Sequence, residues 1–426
     1  PSVVRQSDYN LKLQRIYFLD EVHRSYNPKG SFLANLNESD PNSIKIGLTG
    51  TPLLGSDYNS KQLFGGYIHK YYYNASIADG YTLRLIREAI ETEYKLLLEK
   101  TLEEIKILKG SANREKIYAH EKFVEPMLDY IVSDFEKARL THDDSTIGGM
   151  VICDSSAQAK KMFEIFEAKY APKPEINPPA TFDPHVPPEQ LAAEDEDNTY
   201  HSQRKQKRAV KTAALILHDI GTKEDRKEKV EDFKEGKIDF LFVYNMLLTG
   251  FDARRLKKLY LGRIIKAHNL LQALTRVNRT YKDFKYGYVV DFANIEKEFD
   301  QTNKAYFDEL QDELGDEMES YSNLFKTVEE IQAEVEQIKD ALFRFNIENA
   351  EVFSQQITEI KDRAQVLEVV KALNNARNLY NIIRLSGQYE QLEKLDFKKL
   401  NKLANEASDH LKMLNQKIAL EEGHDN

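Results

Sequence analysis

Residues 16–26 read IYFLDEVHRSY. Four apolar residues, Ile16 to Leu19, run directly into Asp20 and Glu21, with His23 two positions on. A short apolar run bounded by polar residues predicts a buried strand of a parallel sheet. Such sheets bind ligands beyond the carboxyl ends of their strands, which is where Asp20 and Glu21 stand. An Asp there suits Mg2+, which keeps most of its water and takes one or two carboxylates beside substrate phosphates. A neighbouring Glu suits orienting and deprotonating a water that attacks a phosphate. Taken alone, the pattern is equally that of two acids closing an ordinary strand.

Working outward, IKIGL (44–48) predicts a second buried strand and runs into LTGTP (48–52). The hydroxyls Thr49 and Thr51 around Gly50 suit a tight turn close to a ligand. The order of the two motifs resembles that of a motor ATPase. YIHKYYY (67–73) reads as a third strand. From about 84 the period becomes helical, with Leu85, Ile86, Ile90, Tyr94, Leu97, Leu98, Leu102 and Ile105 on one face, Gly110 as the cap, and a second helix over 113–140.

Residues 147–295 alternate strand and helix. The strands are IGGMVIC (147–153), AALILH (213–218), DFLFVY (239–244), KKLYLG (257–262) and YGYVVDF (286–292), with helices at 156–169 and 223–235 among them. That alternation implies right-handed βαβ units on a parallel sheet. One insertion, 171–208, holds seven prolines, the acidic run EDED and the basic run RKQKR; its composition suits a mobile loop. Residues 301–426 read as all-helical. Val328, Ile331, Val335, Ile338, Leu342 and Phe345 form a short heptad seam, and Leu392, Leu395, Leu400, Leu403, Leu411 and Leu414 repeat the theme. The fold class is therefore α/β plus all-α.

Composition narrows the chemistry. The chain has 426 residues, 41% hydrophobic and 31% charged, enough for several domains. The single cysteine, Cys153, excludes a disulfide framework and a Cys-based metal site. The ten histidines never pair at ligand spacing, which argues against zinc. No apolar run approaches the roughly 18 residues of a membrane span. The net charge of −10 is uneven: residues 1–300 hold 45 Lys and Arg against 45 Asp and Glu, whereas residues 301–426 hold 15 against 25. Within the neutral part, residues 251–285 carry ten basic residues and two acids, a patch suited to phosphates or simply a solvated face. Arg254, Arg255, Lys257 and Lys258 are its densest cluster.

Two further motifs lie in that patch. LLTGFDA (247–253) follows the strand at 239–244, and QALTRVNR spans 272–279. On a helix, Gln272, Arg276 and Arg279 would share one face. Arginine presents planar, permanently charged donors matched to phosphate oxygens, and an arginine finger is worth roughly 10³–10⁵ in phosphoryl-transfer rate.

Together the four pieces resemble motifs II, III, V and VI of superfamily 2 helicases and translocases. FLDEVHRS, LTGTPL, YIHKYYYNASIADGYTLRL (67–85), LLTGFDA and LLQALTRVNR resemble, more narrowly, the restriction (R) subunit of type I restriction–modification enzymes. The resemblance covers roughly residues 10–300; the tail matches in type alone. It implies that Asp20 ligates Mg2+ through water and that Glu21 is the catalytic base. It implies that His23, Thr49 and Thr51 couple the nucleotide site to DNA, and that Thr249, Gly250 and Asp252 face DNA backbone or ribose. It places Gln272, Arg276 and Arg279 on the γ-phosphate, and Ser155 and Ser156 on the DNA backbone. The implied cofactors are ATP and Mg2+. The implied partners are double-stranded DNA and the methyltransferase and specificity subunits, in the cytoplasm. The implied domains are the end of a first RecA-like domain (1–80), a helical connector (81–140), a second RecA-like domain (141–300) and a helical domain (301–426).

A G-x-x-x-x-G-K-[ST] loop is missing from the sequence; NPKGS (27–31) and EGKI (235–238) do not fit. The family carries it upstream of the DExH box, together with its nuclease. The chain is therefore expected to be a fragment that does not hydrolyse ATP alone. Asp154 with E-A-K at 167–169 is read as a chance likeness to the nuclease carboxylates. The alternatives are a partner-docking helical module with an inactive motor remnant, or a general superfamily 2 DNA remodeller.

Overall fold

The computed structural model describes residues 13–22, 31–50, 63–69, 71, 73–109, 114–172, 209–247, 251–263, 265, 272–292, 325–386, 389–393 and 395–422. His23, Thr51, Thr249, Gly250, Gly110, most of the 171–208 insertion and residues 301–324 lie outside them. The chain divides into two compact units, the first made of residues 1–79, 265–273 and 296–324 and the second of the rest.

In the first unit, β1 (Ile16–Leu19) pairs in parallel with β2 (Ile44–Gly47), from Ile16 opposite Ile44 to Leu19 opposite Gly47. Helix α1 (Ser31–Ser39) lies between them in sequence, and α2 (Tyr73–Ala78) follows. Side chains alternate across a strand, and here one face alone is covered. Leu19, Val22 and Leu33 are buried, with Tyr17, Leu36, Leu63 and Phe64 against them. On the other face Ile16 is 52% and Phe18 67% exposed. The expected fully buried strand is thus a half-covered one. The strand expected at 67–73 is not formed: residues 67–69 and 71 are irregular, and a helix starts at Tyr73.

The second unit is built on a six-stranded, all-parallel sheet. Its strands are β3 (Arg84–Glu88), β4 (Gly148–Ile152), β5 (Ala213–Ile216), β6 (Phe240–Val243), β7 (Leu256–Leu261) and β8 (Tyr286–Asp291), in the order β3-β8-β7-β4-β6-β5. Every residue of β4, β6, β7 and β8 is buried, as parallel strands covered on both faces must be. The five strands expected between 147 and 292 form within two residues of their expected ends. Residues 84–88, expected as the start of a helix, are instead the edge strand β3. Their apolar pair Leu85–Ile86 fits either period, and pairing with β8 decides it.

Helices α3 (Thr92–Lys109), α4 (Arg114–Tyr118), α5 (Glu121–Thr141), α6 (Ser156–Lys169) and α7 (Lys223–Glu235) accompany the sheet. The ends of α7 are set locally. Thr222 and Asp225 form a reciprocal capping box, and Gly236, at φ 89°, supplies the left-handed cap. Then come α8 (Val328–Leu342), α9 (Ala350–Thr358), α10 (Arg363–Asn378), α11 (Tyr380–Ser386), α12 (Glu390–Glu393) and α13 (Phe397–Glu422). Of the heptad seam, Val335, Ile338, Leu342 and Phe345 are buried, while Val328 is exposed. These helices share one continuous apolar core with the sheet. They are tied to its edge by Arg84, which grips both carboxylate oxygens of Glu330 at 2.6 and 2.7 Å and the Phe325 carbonyl at 2.6 Å. That grip, first of all, holds the Glu330 carboxyl down at about 2.

Candidate functional site

Two groups of the expected residues fall in the described structure, one at the ends of β1 and β2 and one at the loops after β6 and β7, with Gln272 counted in the first unit. In the first unit, Asp20 and Glu21 leave the carboxyl end of β1, and Thr49 follows β2 beside it. The Leu48 N–H donates to the Leu19 carbonyl at 2.8 Å, and the Val22 N–H returns to the Leu48 carbonyl at 3.1 Å. The two acids are therefore pinched out between two main-chain bonds. Asp20 is exposed, and its Oδ1 accepts the Glu21 N–H at 2.9 Å. Glu21 has φ 52°, uncommon for a residue with a side chain. Strain of this kind persists where surrounding bonds over-determine it and concentrates at functional sites. A solvent-facing carboxylate with an oxygen to spare fits a hydrated Mg2+, a hard cation that needs one or two such ligands. Among the described residues no group of three or more His, Cys, Asp or Glu is placed to hold a metal.

The second group surrounds the loops after β6 and β7. Leu247, like Glu21, has positive φ, 63°. Residues 272–279 do not form the expected helix: 272–274 make one turn, 275–277 bend, and Arg279 forms an isolated antiparallel bridge with Thr82. The shared-face argument for Gln272, Arg276 and Arg279 is thereby corrected. Several bonds draw the segment off its helical path. The Leu83 N–H donates to the Asn278 carbonyl at 2.6 Å, and Lys257 donates to the carbonyls of Val277 and Arg279. The absence of a side chain at Gly287 lets the Val277 carbonyl come close; a Cβ there would stand 2.1 Å from it.

Yet this loop still brings the arginines together with the preceding motif. Arg276 Nη1 donates to the Phe251 carbonyl at 2.6 Å, and Arg279 Nε stands 3.4 Å from Asp252 Oδ1. Both ends of the Arg279–Asp252 pair are open to water, at 40% and 65% exposure, so an incoming anion can compete for the guanidinium. Gln272 is buried.

The expected basic track at 254–258 is corrected more severely. Arg254 is exposed, but Arg255, Lys257 and Lys258 are interior. Arg255 donates to the carbonyls of Thr146, Phe233 and Ile238 at 2.7 Å and of Ile147 at 3.3 Å, and lies over the Phe233 ring at 4.8 Å. Burial, then Arg139, brings its pKa down to about 10. Lys258 lies 2.7 Å from both Glu88 and Asp134. Tyr260 donates to Asp134 at 2.8 Å and Asn381 to Glu88 at 2.9 Å. Burial opposes the Lys258 charge, but Asp134 and Glu88 outweigh it and raise its pKa. Burial raises the Glu88 carboxyl, and Lys258 partly offsets it. None of these three cations can meet DNA without leaving the sheet. The strand order decides it: β7 lies between β4 and β8, so its lysines point into covered faces.

Ser155 and Ser156 open α6 beyond β4. The Ser155 hydroxyl caps the helix, accepting the Gln158 N–H at 3.1 Å, a role that accounts for it without a ligand. Of the nuclease likeness, Glu167 and Lys169 stand on the last turn of α6, a helix and not a strand, as expected; Lys169 pairs with Asp129 at 2.7 Å and Glu125 at 3.1 Å.

Comparison with known proteins agrees with the motif reading. Residues 145–294 match the family model described as Type I restriction enzyme subunit R domain 3, and residues 5–116 that of the SWI2/SNF2 ATPase. The chain is 25% identical over 316 residues to the endonuclease subunit of the type I restriction enzyme SauCOLORF180P of Staphylococcus aureus (strain COL), covering 68% of this chain and 32% of that one. It is 26% identical over 356 residues to the HindI endonuclease subunit of Haemophilus influenzae, covering 74% and 30%. The chain thus spans about a third of the length of these relatives. A solved type ISP restriction–modification enzyme, LlaBIII bound to DNA, aligns with 97% of this chain and 33% of its own at 9% identity and a TM-score of 0.41. No helix among the described residues is long and apolar enough to cross a membrane.

Proposed function

We propose that this chain is the motor portion of a type I restriction R subunit. In that reading the whole subunit couples ATP hydrolysis to movement along duplex DNA and to its cleavage, in the cytoplasm, beside methyltransferase and specificity subunits. The observation that carries it is the tethering of Arg276 and Arg279 to Phe251 and Asp252, which gathers two separate motifs into one place where the Arg279–Asp252 pair is open to water. Mg2+–ATP, when bound, supplies the phosphoryl bond to be broken. Asp20 would hold the hydrated cation, and Glu21 would orient and deprotonate the attacking water. Arg276 and Arg279 would neutralise phosphate charge, and Thr49 would relay the nucleotide state. Asp252 would hold Arg279 in readiness for phosphate. Arg254 is the member of its cluster left to meet DNA backbone.

In the full-length subunit, Asp20→Asn or Arg279→Ala should each abolish DNA-stimulated ATPase. Near-normal turnover in both would sink the assignment. The chain by itself is expected to hydrolyse no ATP, and measurable turnover by the purified chain would overturn that part.

A further inference from the structure

The buried lysine pair on β7 is asymmetric. Lys258 has two carboxylates, whereas Lys257, fully buried on the opposite face, has none among the described residues. Its ammonium donates instead to the main-chain carbonyls of Val277, at 3.5 Å, and Arg279. These carbonyls belong to the segment that leaves helical geometry after residue 274 and therefore lacks helical partners. A buried cation without an anion is costly, and here its donors go to the loop that carries the two arginines.

We propose that Lys257 is a positioning residue for that loop, holding it from inside the sheet by the Val277 and Arg279 carbonyls and so setting where the Arg279 guanidinium stands against Asp252. The role of the arginines rests on the function proposed above; the grip itself does not, and is tested separately.

The ionisable groups around Lys257 sharpen the test. Arg255 lies two residues before it, the loop carries Arg276 and Arg279, and β4 carries no ionisable group. On β8 the register puts Tyr286 and Tyr288 on the face of Lys258, and Asp291 lies on the Lys257 side opposite Leu261. Burial first, and then Arg279, lowers the Lys257 pKa to about 7. An unfolded lysine titrates near ~10.4. Between those values the unfolded chain binds more protons, so this group's contribution to global stability rises with pH. Losing the proton also removes the charge and one donor, so the grip on the loop weakens over the same range. A side chain that merely fills space would not move global stability and local order in opposite directions.

The experiment is amide hydrogen exchange on the purified chain at pH 6 and pH 9, expressed as protection factors. Protection of Leu83, whose N–H donates to Asn278, and of residues 279–281 should fall roughly tenfold between the two, the worth of one hydrogen bond to a charged group. In Lys257→Met it should be low at both. Unchanged protection in the variant overturns the proposal. Should the variant fail to fold, nuclear Overhauser contacts of the Lys257 side-chain terminus in the wild-type chain decide: contacts to the main chain of Val277 and Arg279 support the proposal, and their absence overturns it.

Discussion

The two sheets of this molecule begin from the same sequence grammar and end differently. β1, IYFL, and β6, FLFV, are both four apolar residues between polar neighbours. β6 is wholly buried, whereas β1 leaves Ile16 and Phe18 more than half exposed. Conversely β7 contains two lysines and is buried throughout. Burial is decided by what lies on either side of a strand, not by the hydropathy of the strand itself. In an interior strand a charge is tolerated when its partners come along: Glu88 and Asp134 for Lys258, and main-chain carbonyls for Arg255 and Lys257.

That contrast is broken most directly at Lys258. Lys258→Met leaves Glu88 and Asp134 facing each other in the core and should cost about 3–5 kcal/mol in urea unfolding. The triple variant with Glu88→Gln and Asp134→Asn should recover most of the loss. A cost under about 1 kcal/mol for the single change would mean that the ion cluster is hydrated and β7 less interior than it stands. Next, Gly287→Ala places a methyl group against the Val277 carbonyl. It should cost about 1–3 kcal/mol and raise proteolytic cleavage near residue 280. Unchanged cleavage would show that the loop and β8 are not in contact.

A pH series sharpens the comparison further. His142 caps α5 between Phe284, at 4.6 Å, and Tyr288, at 5.6 Å. Burial, then the cations Arg377 and Lys258, brings its pKa down to about 3. The folded value lies below the unfolded one, so the stability this ring contributes is present above pH ~6.5 and is lost as pH falls toward 3. His142→Gln should reduce the slope of stability against pH in that window. The reduction is at most about 1.4 kcal/mol per pH unit, and less because the residue is partly exposed. An identical slope would place the titration elsewhere. Smallest of all, Phe18→Thr should change thermal stability by no more than about 0.5 kcal/mol. A loss of several times that would show that the open face of β1 is covered in the folded chain.

Much of this was legible beforehand. The strands of 147–292 were readable because each is a short apolar run with turn residues on both flanks. The helix 223–235 was readable as a segment between two strands, and Thr222, Asp225 and Gly236 fix its ends in the structure. Residues 84–88 were not, since Leu85–Ile86 suits both periods and only the partner β8 resolves them. Residues 272–279 were misread because their pattern is helical and the bonds that bend them come from Lys257, Leu83 and the space at Gly287, all remote in sequence. The acids at 20–21 were legible as residues, but the left-handed turn at Glu21 has no signal in a sequence without glycine there.

If the proposed function holds, Arg255 has a practical consequence for mapping a DNA path on this protein. It joins Thr146, Ile147, Phe233 and Ile238 through one guanidinium. A charge-neutralisation scan across 254–258 would therefore register lost DNA retention at Arg255, Lys257 and Lys258 through collapse of the scaffold, a false positive in three of four positions. Arg254→Ala is the informative probe in that stretch, and circular dichroism of the other three variants is the control that keeps the map truthful.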